Sequence, residues 1–108
     1  MVQHIKISLL SILFLSSLLH AAQEQTVRGE TLFKQCAGCH GSDGRNKAFG
    51  KSGIIAGQSV IELMESLKFY KESEFKTHST TLVMSKQVKN MNMEDLSEVA
   101  NYVSKLQK

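Results

Sequence analysis

Cys36 and Cys39 are the only two cysteines of the chain, and they stand three apart in Cys36-Ala37-Gly38-Cys39-His40. A C-x-x-C-H run is the attachment sequence of a c-type haem. The spacing is close to one helical turn, so the two thiols can each add to one vinyl group of the same porphyrin. The following imidazole then faces the iron from the same side. Ala37 and Gly38 are small, which lets the backbone lie close against the ring edge. Three other readings of the pair are weaker. A thioredoxin-like redox pair wants a βαβ setting, and no alternating strand pattern flanks the segment. A zinc site needs a second Cys/His pair at finger spacing, which is absent. A disulfide between residues so near would close a tiny, strained loop.

Haem of this type is attached outside the cytoplasm, and the N-terminus agrees. Residues 1–22 have the shape of a secretory signal peptide: Lys6, an apolar stretch from Ile7 to Leu19 broken only by serines, then Ala21 and Ala22. The apolar run is shorter than the roughly 20 residues a membrane span needs. A cut after Ala22 leaves His20 three positions back and a cut after Ala21 leaves Leu19 there, so the cleavage point is approximate. A retained anchor is the competing reading, and a permanent anchor is not expected. Residues 23–108 then form a single domain exported to the periplasm. Of 13 Lys and Arg only Lys6 lies in the leader, and all ten acids lie outside it, leaving a net charge of +2. Lysines are scattered without a basic run or interleaved aromatics, which argues against nucleic acid as a partner. A loose ring of lysines can still steer an acidic protein partner. So small a domain has little apolar core of its own and commonly recruits a metal or another staple.

The scaffold reads as all-α, with no run of period two. Thr26 is expected to cap a first helix over about 27–36, with Gly29, Leu32 and Phe33 on one face. Ser59-Val60-Ile61-Glu62 is a capping box opening a helix to about Lys71. A shorter helix covers about 82–88. Asn92 opens the last, where Leu96, Val99, Ala100, Val103 and Leu106 repeat at helical spacing. Between the first two helices, 41–58 holds five of the seven glycines together with Phe49, Ile54 and Ile55. Such a loop suits wrapping around a flat prosthetic group, with one of its carbonyls accepting the His40 Nδ1 proton.

An electron-carrying haem needs a second axial ligand. Met64 falls on a helical apolar stripe and reads as core. Met91 and Met93 bracket the Asn92 cap, Met91 as a hydrophobic staple and Met93 as the first helical residue. Met84, within Thr80–Lys86, carries no such duty and is the favoured thioether ligand. His78 is the rival.

Together these residues resemble the class I c-type cytochromes, particularly the small bacterial c-553 type, over about 24–108. The resemblance rests on Gly29–Gln35 leading into Cys36–Gly44, on Ile55–Ser59, on Leu67–Tyr70, and on the stretch from Met84 to Leu106. It implies the class I cytochrome c fold, three to four helices wrapped around one covalently attached haem. Cys36 and Cys39 would hold one haem c through thioethers, with His40 and Met84 as axial iron ligands. In that family the sixth ligand is a Met on a loop some ten residues before the last helix, which selects Met84 over Met91 and Met93. The first and last helices cross at a Gly/aromatic pair meeting an aromatic, here Gly29, Phe33 and Tyr102. Many members place a proline after the haem motif to accept from the ligand histidine. This chain has none, so a carbonyl in Phe49–Ile55 is expected to replace it. The implied activity is one-electron transfer in the periplasm by a monomer, not enzymatic catalysis. Its partners would be redox proteins: a quinol-oxidising complex, a terminal oxidase, or a periplasmic reductase or peroxidase. The competing account is a haem enzyme or gas sensor with an open or labile distal site.

Overall fold

The computed structural model describes residues 2–73 and 79–108, and their regular structure is entirely helical. Four α-helices follow one another: α1 over Val2–His40, α2 over Val60–Glu72, α3 over Ser79–Val88 and α4 over Met93–Ser104. A single 3-10 turn, Ala48–Gly50, lies between α1 and α2.

The first helix is far longer than the one expected from Thr26. Nothing from Val2 to Arg28 is a proline or a glycine, and leucine and alanine favour the helix. Thr26 therefore sits mid-helix, and its hydroxyl donates to the Ala22 carbonyl at 3.1 Å instead of capping. The apolar side chains from Ile12 to Leu19 are exposed. No helix among the described residues is long and apolar enough to cross a membrane. Burial begins at Gly29, and from there α1 packs across α4.

The crossing is as tight as two helices allow. A Cβ placed on Gly29 would meet the backbone of Glu98 and stand 2.9 Å from the Tyr102 Cβ. Just beyond, the Phe33 and Tyr102 rings lie 5.4 Å apart at 47°, a tilted contact of the kind aromatic pairs favour. Arg28 adds a fork of ion pairs to the first turn of α4, 3.0 Å from Glu94 and 2.6 Å from Asp95. Those two acids also suit the positive pole of α4.

The starts of α2 and α4 fall where local chemistry put them, whereas α3 begins at Ser79, ahead of the start expected at about 82. Ser59 and Glu62 form the reciprocal capping box, with the Ser59 N–H donating to Glu62 Oε2 at 2.9 Å and the Glu62 N–H to Ser59 Oγ at 3.2 Å. Asn92 and Asp95 repeat it at α4, at 3.1 and 2.8 Å. Leu96, Val99, Ala100 and Val103 are all buried, joined by Phe33, Leu63, Val88 and Met91 in one core cluster. Met91 and Leu96, on either side of the cap, share that cluster as a staple requires.

Two outcomes are expected. Gly29→Ala forces the helices apart and should cost about 1–3 kcal/mol, read from denaturant unfolding of the haem-loaded protein. Hydrogen bonds from the Asn92 N–H and the Arg28 guanidinium hold the Asp95 carboxyl below its ordinary value of 3.8. A lowered folded-state value gives stability that is complete above the unfolded pKa and lost as pH falls through the folded one. Asp95→Asn should therefore lower the melting temperature at pH 7, and the gap from wild type should narrow between about pH 5 and pH 2.

Candidate functional site

The C-terminal turns of α1 carry the whole Cys36–His40 segment. Gly41 ends the helix with a left-handed φ of 80°, which only glycine adopts freely. Its N–H still donates to the Ala37 carbonyl at 2.8 Å, and the Asn46 N–H returns to the His40 carbonyl at 2.9 Å. Gly29, Phe33, Cys36 and His40 stand four, three and four residues apart. They share one face, so the stripe that packs on α4 continues directly into the site.

That stripe opens onto a cavity of about 490 Å³, within the ~300–1,000 Å³ of small-molecule and cofactor sites. Cys36, Cys39 and His40 border it from α1, and Met84 borders it from α3. The wall between them is apolar: Leu63 and Leu67 of α2, Val99 and Val103 of α4, and Ile55 of the loop. Cys36 is half-buried and Cys39 exposed, both as free thiols. Burial pushes the Cys36 thiol up to about 11 and pushes the His40 imidazole below its ordinary value. His40 is accordingly a neutral base with a free electron pair to offer a metal.

His40 Nδ1 is buried and has no partner among the described residues. The expected carbonyl acceptor in Phe49–Ile55 is therefore not found among the described residues. Gly53, Ile54 and Ile55 spend their carbonyls locally, on Ser52 Oγ, Gln58 Nε2 and the Gln58 N–H. The loop is pinned elsewhere too, with the Gly57 N–H on the Val103 carbonyl at 3.1 Å. An enclosed imidazole nitrogen without a partner costs about 1–3 kcal/mol, and such groups mark functional sites more than inert cores. Two thiols, a buried neutral imidazole and a thioether around one apolar hollow fit a covalently tethered, doubly ligated haem.

The methionines divide cleanly. Met84 is half-buried at the cavity wall, but it lies in the middle of α3 and not on a loop. Thr80–Lys86 contains no glycine or proline to interrupt a helix. Met64 packs against the core outside the cavity lining, and Met93 is exposed at the start of α4. Met91 is buried and also borders the cavity from behind the Asn92 cap. His78 lies outside the described residues.

Two neighbours stand at the site in ways the sequence did not assign them. Phe49 has φ 54° and ψ 21°, a left-handed conformation that is rare for a bulky residue. It is 64% exposed and sits at the cavity mouth beside Lys51, Thr80 and Val83. Gln35 precedes Cys36, and its Nε2 donates to the Gln87 carbonyl at 3.0 Å. No periodicity or motif signals a glutamine of this kind, because its acceptor is 52 residues away.

Comparison with known proteins gives one consistent result. The family model described as Cytochrome c matches residues 26–107. The chain is 37% identical over 78 residues to cytochrome c-553 of Nitratidesulfovibrio vulgaris, covering 72% of this chain and 76% of that protein. It is 35% identical over 77 residues to cytochrome c-553 of Helicobacter pylori, covering 71% and 76%.

Proposed function

Since the chain belongs to the cytochrome c family, as a class I member of the c-553 type, we propose that it is an exported His/Met-ligated electron carrier of the periplasm. The family's cofactor is one covalent haem c, and a monohaem carrier is what its relatives are. In this reading Cys36 and Cys39 form the thioethers, and His40 and Met84 are the axial ligands. The observation that carries it is the shared cavity: all four side chains border it, three from α1 and one from α3.

Bound there, haem iron supplies a one-electron couple. The chain's own residues restrict it to that. His40, kept neutral by burial, and the soft Met84 thioether would be the two protein ligands of the iron. Such ligation would leave no position for a substrate, and a Met/His pair would raise the potential. The apolar wall of Leu63, Leu67, Val99 and Val103 keeps water away. In this reading residues 1–22 would serve as the export leader and 23–108 would be the mature haem-carrying domain.

Partners would meet the cavity mouth, where Phe49 is exposed beside Lys51. Lys47, Lys51 and Lys86, all exposed, would steer an acidic face toward it. Redox encounters of this kind are brief and bury under about 1,200 Å². A quinol-oxidising complex, a terminal oxidase, or a periplasmic reductase or peroxidase fits that description.

Met84→Ala is expected to abolish the weak far-red sulfur-to-iron absorption band, with Met91→Ala and Met93→Ala retaining it. Loss of the band in Met91→Ala alone would transfer the ligand role to Met91. Carbon monoxide added to the reduced protein should leave its spectrum unchanged, whereas immediate binding would establish an open distal site. Mass spectrometry of the exported protein should give a chain beginning near residue 23 and carrying the added mass of one haem.

A further inference from the structure

The C-terminal end of α3 is held by side chains from two other helices. Lys71, near the end of α2, donates from Nζ to the Lys89 carbonyl at 3.1 Å. Gln35 of α1 donates from Nε2 to the Gln87 carbonyl at 3.0 Å. The last carbonyls of a helix have no intrahelical donor, so both side chains supply what the helix end lacks. Lys71 ties α3 to α2, against which α3 already packs. Gln35 makes a different connection. Its helix carries Cys36, Cys39 and His40, and its acceptor lies one turn beyond Met84 on α3. Gln35 and Gln87 also border the same cavity as Met84 and His40.

We propose that Gln35 is a positioning residue for the sixth ligand, its hydrogen bond to Gln87 coupling the helix that bears Met84 to the helix that bears His40. This rests on the reading of Met84 as that ligand. Withdrawal of the thioether by displacement of α3 breaks the Gln35 bond in the same movement, so the bond opposes opening. Gln35 is exposed, and water can replace its amide, so the effect is that of one ordinary net hydrogen bond. That amounts to roughly 2- to 12-fold in the opening equilibrium.

The test uses the haem-loaded ferric protein, with imidazole as the probe of an opened sixth position. As imidazole binds, one iron–sulfur coordination bond breaks, one iron–nitrogen bond forms, and no electron moves. In Gln35→Ala the imidazole affinity should rise roughly 2- to 12-fold, with far-ultraviolet circular dichroism and the far-red band unchanged before imidazole is added. Gln35→Glu, of equal length but without a donor when ionised, should show the same rise. Gln35→Lys, which restores a donor of similar reach, should return to near wild-type affinity. Lys34→Ala, on the neighbouring exposed position, should not differ from wild type. Wild-type affinity in both Gln35→Ala and Gln35→Glu overturns the proposal, as does an equal rise in Lys34→Ala. Gln35→Glu decides the matter if Gln35→Ala loses helical signal. Failure of the ligand reading itself is separately visible, because Met84→Ala would then keep the far-red band.

Discussion

The geometry of this molecule depends on one close approach, that of α1 to α4 at Gly29. Without a Cβ at that position the two backbones come near enough for Phe33 to meet Tyr102 on the next turn. Arg28, one residue earlier, locks the rotation of α1 by gripping Glu94 and Asp95. Rotation matters more than position here. Gly29, Phe33, Cys36 and His40 form one stripe, so whatever turns Gly29 toward α4 also turns Cys36 and His40 toward the cavity. Eleven residues separate Gly29 from His40 on α1, about 16 Å at helical rise. A packing contact is thereby converted into the placement of a binding motif.

The cavity explains why a chain this short needs a prosthetic group. Interiors of proteins are close-packed, and a domain this small has little apolar core of its own; a cavity of about 490 Å³ takes up the place where more of that core would lie. The apolar side chains of α2, α3 and α4 that line the space are half of a core, and a flat apolar ring system is the other half. Function and folding therefore draw on the same contacts. The ring that carries the electron would also be what the helices pack against.

Much of the scaffold was legible because it is written in neighbouring residues. Both capping boxes involve groups three positions apart, and both are present in the structure. The α4 stripe of Leu96, Val99, Ala100 and Val103 is buried as its spacing requires. Two expectations failed for an equally physical reason. Thr26 does not begin α1, because a good capping residue cannot stop a helix when everything before it is also helix-forming. The His40 Nδ1 acceptor is missing from the loop, where the Gly53, Ile54 and Ile55 carbonyls accept from Ser52 and Gln58 instead.

The amino-acid order alone determined the chemistry on offer: two thiols and an imidazole within one helical turn, a choice of thioethers, and helices with their caps. These are local properties, set by spacing along a single helix. Which methionines border the cavity, and which glutamine ties their helix to the histidine's, was decided only when four helices were turned about one another. Such relations join residues about fifty positions apart, and the packing angles that create them leave no periodic trace in the chain.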